Sequence, residues 1–336
     1  MKRLPILLTL ILLTSCGGNA TPLPQTELAS AQAASATPEP LPDQPTLTQE
    51  PIPPFAMIGY FPDYRELNSE WAKHLTDIIY FSAEPRADGS LDTSRLTEEN
   101  WSRLIELKNQ YGLRVHLSVG GWERGDDFAA MTADPGIRRQ FIANLLDYML
   151  SHEIDGVDFD WEFPQTNKEF ADYVTLLAEM RLFLSEHELF VSVALPADPS
   201  IPLSEFAIVD RVHIMSYDHA ERHSTYEQAL KDFQLFLDAG IPAEKLVLGM
   251  PFYARGVNDF ERELSYAEIV SKYRPAPEVD EVDGLFFNGI TTIQQKTCFA
   301  RSQNAGGVMF WELGQDTLDE SSSLLRAIYK TVMSGC

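Results

Sequence analysis

"DGVDFDWEFP", residues 155–164, places four carboxylates within eight positions and sets apolar side chains between most of them. Asp158, Asp160 and Glu162 are two apart, so on a β-strand all three project to one face. Val157, Phe159 and Trp161 take the other face and read as core. No basic run nearby would neutralise the acidic row, so a structural ion network does not account for it. Carboxylates held that close cannot all ionise, and one of them keeps a proton. The row is therefore suited to acid–base chemistry.

The strand is one of a series. From residue 55 the chain alternates short apolar runs with longer helical patterns; the runs are "FAMIGYF", "DIIYFSA", "RVHLSVGG", "GVDFDWE", "LFVSVAL", "RVHIMSYD", "KLVLGMPFYA" and "GGVMFWEL". Between them, stretches such as "RRQFIANLLDYMLSHE", "EFADYVTLLAEMRLFLSEH" and "YEQALKDFQLFLDAG" carry apolar residues at helical spacing. Eight strand–helix units imply an α/β fold, the closed (β/α)8 TIM barrel, with active-site residues at the C-terminal ends of the strands. The segment over 256–305 is longer than a crossover needs. It predicts a short elaboration between strands seven and eight, with helices at "LSYAEIVSKY" and "ITTIQQKTCFARSQ" around a "PAPEVDEVDGLFFNG" loop.

The chain has 336 residues, and one barrel of about 250 residues nearly uses it up. Its 50 acidic against 26 basic residues give a formal charge of -24. Such a surface repels phosphate backbones, so no nucleic-acid partner is expected.

Residues 1–15 carry Lys2 and Arg3, then the apolar run "LPILLTLILL", and end in "LTS" before Cys16. This resembles a bacterial lipoprotein signal peptide, with lipid attached to Cys16 as the only membrane contact. Gly17 is not the aspartate that often holds such proteins in the inner membrane, so the resemblance implies an exported protein anchored to the cell envelope, at the outer membrane. Residues 16–54 are rich in Pro, Thr, Ala, Ser and Gln and read as a tether or a plain spacer. The catalytic domain is then 55–336. Cys298 and Cys336 are the remaining thiols, and an exported setting admits either a disulfide between them or two free thiols.

"DGVDFDWE" resembles the D-x-x-D-x-D-x-E signature of glycoside hydrolase family 18, the chitinases and their relatives. "SVGGW" at 118–122, "MSYD" at 215–218, "GMPFYAR" at 249–255, "GGVMFWEL" at 306–313 and "IGYFPDYR" at 58–65 are similar to other motifs of that family, in its order and across nearly the whole domain. The resemblance implies a barrel that hydrolyses β-1,4 bonds of N-acetylglucosamine polymers with retention and without a cofactor. It assigns Glu162 as general acid and base, and Asp160 as the group that stabilises the substrate's 2-acetamido group while that group attacks the anomeric carbon. Tyr217 orients the acetamido group, and Asp158 extends the charge network. Trp311 becomes the apolar floor under the sugar whose bond breaks. Tyr60, Phe81, Trp122, Met215, Asp218, Tyr253 and Arg255 are candidates to line the cleft. Ala254 stands where the family usually has glycine, a small departure.

Trp161, Trp71 and Trp101 read as packing. Ser118 is expected to hold the carboxylate network, as its family counterpart does. His213 and His219 flank the sixth strand without metal-ligand spacing, so no metal is expected. Two other readings stay open beside the chitinase: the same chemistry on N-glycan cores or peptidoglycan, and an inactive chitin-binding lectin of the same fold. The presence of Glu162, Asp160 and Tyr217 argues against the lectin, and Trp161 against N-glycan specificity. The short segment before strand eight implies a shallow cleft and soluble chito-oligosaccharides as substrates. A closed barrel needs no partner subunit, so a monomer is expected.

Overall fold

The computed structural model describes residues 55–336; the signal at 1–15, the lipidation at Cys16 and the tether at 16–54 lie outside the described residues. Eight parallel strands form the core: β1 (Ala56–Pro62), β2 (Asp77–Pro85), β3 (Arg114–Gly120), β4 (Gly156–Asp160), β5 (Phe190–Pro196), β6 (Arg211–Met215), β7 (Leu246–Pro251) and β8 (Gly307–Trp311). Each pairs with the next, and β1 pairs with both β2 and β8, which closes the (β/α)8 barrel. Around it lie α1 (Glu98–Tyr111), α2 (Phe128–Ala133), α3 (Pro135–Ser151), α4 (Asn167–Ser185), α5 (Tyr226–Asp238), α6 (Tyr266–Tyr273), α7 (Ile290–Ser302) and α8 (Leu324–Ser334).

The period-two alternation sorts each strand into two environments. Outward residues such as Val157, Phe159, Val191, Val193, Ile214 and Phe310 join the large core beneath the helices. Inward residues divide the lumen into two halves. Ala56, Ile58, Tyr60, Ile79, Phe81, Val247 and Met309 make an apolar cluster on strands β1, β2, β7 and β8. Strands β3–β6 contribute His116, Ser118, Asp158, Asp160, Ser192, Arg211 and His213, all buried. At the N-terminal end Asp77 accepts from Arg211 at 3.1 Å, from Arg114 and from His116, so one buried carboxylate ties two guanidinium groups together at the floor.

The elaboration before β8 differs from its expected form. Tyr253–Gly256, Glu263–Ser265, Leu285–Phe286 and Glu281–Val282 make a small antiparallel sheet beside α6, and the predicted loop at 275–289 contains a hairpin. Asp283 and Gly284 both have positive φ, the backbone a two-residue hairpin turn requires. Cys298, on α7, is bonded to Cys336, with Cα atoms 5.7 Å apart. No helix among the described residues is long and apolar enough to cross a membrane.

Candidate active site

The acidic row rises through the lumen to the C-terminal mouth. Strand β4 ends at Asp160, so Glu162 lies two residues past the ladder and is only partly buried. The close approach of β3 and β4 depends on glycine. Gly120 and Gly121 both have positive φ, and a Cβ would lie 2.4 Å from the Asp160 carbonyl at the first and 2.2 Å from Phe81 Cζ at the second. With no side chain there, the Gly121 N–H reaches the Asp160 carbonyl at 2.6 Å and ties the turn to the end of β4. The turn is also held by Arg124, which donates to both oxygens of Asp63 at 3.1 and 3.2 Å, and to Ser82 Oγ at 3.0 Å. The sequence reading gave no role to Asp63, Ser82 or Arg124; Asp63 and Ser82 lie inside quoted stretches and Arg124 two residues past one, but nothing in their spacing joins them.

Burial treats the three carboxyls differently. At Asp158 it acts to raise the affinity for protons, but His213, Ser192 and Tyr60 outweigh it and hold the group below its ordinary range. Asp160 has no such help: Oδ1 is buried without a partner among the described residues, and burial, Glu162 and Asp158 together push the group well up. Glu162 is pushed up to about 7 by burial and then by Asp218, with the Trp122 N–H pulling the other way. The row therefore holds a proton near neutral pH, at its outer members.

Above it, Tyr217 makes no side-chain hydrogen bond among the described residues, and burial followed by Asp160 keeps its hydroxyl protonated. Its ring occupies space that a side chain at residue 249 would contest, since a Cβ on Gly249 would lie 3.1 Å from Tyr217 Cε1 and 2.2 Å from the Ile214 carbonyl. Trp311 ends β8 with its ring edge-on to Phe81 at 4.7 Å and tilted over Tyr60 at 5.7 Å. Asp218 accepts from Tyr253 at 2.8 Å and from Arg255 at 3.0 Å. Burial works against the Asp218 charge, but His223, Arg255 and Tyr253 bring its carboxyl down to about 2.

The candidate cleft residues separate by depth. Trp122 is 68 % exposed on the rim, Met215 packs beside Tyr217 and Trp311, and Asp218 and Arg255 face the mouth. Tyr60, Phe81 and Tyr253 are buried at 2, 4 and 3 % exposure. They support the surface rather than line it, because Tyr60 and Tyr253 give their hydroxyls to carboxylates and Phe81 packs under Trp311. Ser118 departs from its expected role: its Oγ has no partner among the described residues, although Ser118 is in register with Asp158. Ser192, in register with Asp158 from the β5 side, donates to Oδ1 at 2.6 Å instead. Trp161 stacks on Phe128 at 5.1 Å, and Trp71 and Trp101 are buried in the helical layer.

Breaking a glycosidic bond needs an acid that can protonate the leaving oxygen and a group that meets positive charge at the anomeric carbon. A protonated Glu162 at a barrel mouth, a carboxyl beneath it and a tryptophan surface that a sugar face can stack on define a glycoside hydrolase. The chain belongs to the glycosyl hydrolases family 18, whose profile matches residues 56–316. It is 25 % identical to Chitinase 1 of Aphanocladium album over 75 % of this chain and 79 % of that protein. Against Probable chitinase 10 of Drosophila melanogaster the identity is 27 %, over 64 % of this chain but 12 % of the relative. In structure it is similar to the chitinase from the chitin utilization locus of Flavobacterium johnsoniae, with a TM-score of 0.72, 25 % identity and coverage of 83 and 94 % of the two chains.

Proposed function

We propose that this chain is a chitinase that cleaves β-1,4 bonds next to N-acetylglucosamine by substrate-assisted, retaining hydrolysis. The observation that carries the reading is the split within the acidic row: Asp158 is held ionised by its donors, while Asp160 and Glu162 are both pushed toward their protonated forms. Glu162 donates its proton to the leaving oxygen. The substrate's acetamido oxygen attacks the anomeric carbon from the opposite face, and the Tyr217 hydroxyl, without a side-chain partner among the described residues, orients that group. Asp160, with an unpartnered oxygen, turns to the acetamido N–H and offsets the charge of the cyclic cation. Glu162, now a carboxylate, takes a proton from water, which opens the ring with net retention. Holding the internal nucleophile in line replaces a second carboxylate nucleophile. Stacking on Trp311 seats the sugar.

The same reading makes chitin or N-acetyl chito-oligosaccharides the partner and a monomer the working form. It makes the protein an exported one, lipid-anchored through Cys16 after cleavage of residues 1–15. Membrane release in Cys16→Ser tests the anchor. Activity is tested by mass spectrometry of products from fully and partly N-acetylated chito-oligosaccharides, with Glu162→Gln alongside. The expected result is cleavage by the wild type alone, always with an N-acetylated sugar on the non-reducing side of the cut. Equal activity from Glu162→Gln refutes the acid assignment. No cleavage of any substrate refutes the chitinase reading and turns attention to N-glycans, peptidoglycan or a binding role.

A further inference from the structure

Asp158 is the deepest carboxylate of the row, and its acceptors are occupied. Oδ1 accepts from Ser192 at 2.6 Å and lies 3.2 Å from His213 Nδ1, while Oδ2 accepts from the Tyr60 hydroxyl at 2.7 Å. The same Nδ1 is 2.9 Å from the Tyr60 oxygen. These distances decide the tautomer of His213. Tyr60 has one hydroxyl hydrogen and gives it to Asp158, so a bare Nδ1 would turn its lone pair against two oxygens. A protonated Nδ1 donates to them. His213 is 1 % exposed. Its Nε2 has no hydrogen-bond partner among the described residues, and its ring lines a small cavity with Arg211, His116 and Ser192 that has room for about one water molecule.

Building on the hydrolase reading above, we propose that His213 is a positioning residue for the row: its Nδ1–H, with Tyr60 and Ser192, saturates Asp158 and leaves Asp160 free to turn to Glu162 and the acetamido group. The groups facing His213 fit this role. Tyr60 comes from β1 and Asp158 from β4; Arg211 lies on its own strand, and His116 of β3 lies across the cavity. Asp77 of β2 stands behind Arg211 and engages it, and the flanking strands β5 and β7 present Ala194 and Val247 in register. Without the ring, Asp158 regains an acceptor in a fully buried site. It then competes for the proton and hydrogen bond of Asp160, drawing that side chain inward from the substrate.

The test compares His213→Leu, which removes the donor, with His213→Asn, whose amide can restore it. For His213→Leu, kcat on an N-acetylated chito-oligosaccharide is expected to fall about 10- to 100-fold with KM within about threefold. The acid limb of kcat/KM is expected to move up by about half a pH unit or more, because Asp158 now takes a proton more readily. His213→Asn is expected to recover most of kcat. A purely structural role would lower melting temperature and yield in both variants without moving the limb, and that pattern overturns the proposal. If His213→Leu does not fold, the 15N resonances of histidine-labelled wild type decide: a protonated Nδ1 at neutral pH supports the role and a bare one overturns it. Wild-type turnover and its loss in Glu162→Gln check the hydrolase reading separately. A silent wild type overturns that reading and this role together, whereas a normal wild type with unaltered His213 variants overturns this role alone.

Discussion

Asp218→Asn should loosen the hold of Glu162 on its proton at the outer end of the row, and the structure sets the size of the effect. Glu162 stands at about 7 against an ordinary 4.5, a rise of about 2.5 in which burial is the larger cause and Asp218 the smaller. Asp218, as the smaller of the two raising causes, therefore supplies no more than about half of the upward push, roughly one pH unit or a little more. Its side chain is 38 % exposed, so water and salt screen it, and about half a unit is the working figure. Asparagine keeps an acceptor for the Tyr253 hydroxyl and Arg255, so the loop after β6 stays in place. The sign follows from the proposed acid role of Glu162, for which the protonated form is the working one: activity is then present below its pKa and lost as pH rises through it. Removing the Asp218 charge lowers that pKa. The alkaline limb of kcat/KM should then fall by about 0.5 pH units, and activity at about pH 8 should drop about threefold relative to the plateau. The assay is kcat/KM on one defined chito-oligosaccharide across the pH range, with the substrate well below KM. An alkaline limb that stays in place, or moves upward, refutes the claim that Asp218 helps hold the proton on Glu162.

Two further outcomes test the scaffold. Gly249→Ala should cost about 1–3 kcal/mol and displace the Tyr217 ring, because the new Cβ would lie 2.2 Å from a backbone carbonyl and 2.7 Å from Met309 Cε. A thermal melt together with kcat reads it, and an alanine variant with wild-type kcat would show that Tyr217 does not depend on that space. Cys298→Ser opens a bond that spans 38 residues, worth about 4 kcal/mol by loop-closure entropy, and should lower Tm by about 5–10 °C with kcat unchanged. An unchanged Tm would mean that the chain end is held by packing of α8 alone.

The barrel was legible because two periodicities alternate along the chain, and because the seven strands after β1 each begin within a residue of their apolar run. The acidic row was legible for the same reason: a period of two on β4 puts Asp158 and Asp160 on one face whatever the rest of the chain does. Depth was not legible. Tyr60, Phe81 and Tyr253 look in sequence like cleft aromatics, and they turn out to be supports because each lies one layer below the surface that Trp311 and Tyr217 form. The donors to Asp158 escaped for a related reason. Ser118 and Ser192 are both in register with Asp158, one from each neighbouring strand, and only side-chain direction decides which hydroxyl reaches it. His213 was noticed and set aside because its meaning depends on Tyr60, 153 residues away.

The divided lumen explains how one short strand keeps three carboxyls in different protonation states. A uniformly polar interior would solvate Glu162 and Asp160 and leave them ionised; a uniformly apolar one would protonate Asp158 as well. Here the apolar half, running from Ala56 and Ile58 up to Trp311, supplies the low dielectric, while Ser192, His213 and Tyr60 supply donors to the deepest member alone. The floor matters to this balance. Arg211 and Arg114 are strong cations at the base of the same lumen, where an unpaired guanidinium is costly to bury. Asp77 engages both of them, and although burial opposes its ionisation, Arg211, His116 and Arg114 hold it well below the ordinary carboxylate range. Asp77 thus keeps part of the positive charge paired at the bottom of the barrel, away from the carboxyls at its mouth.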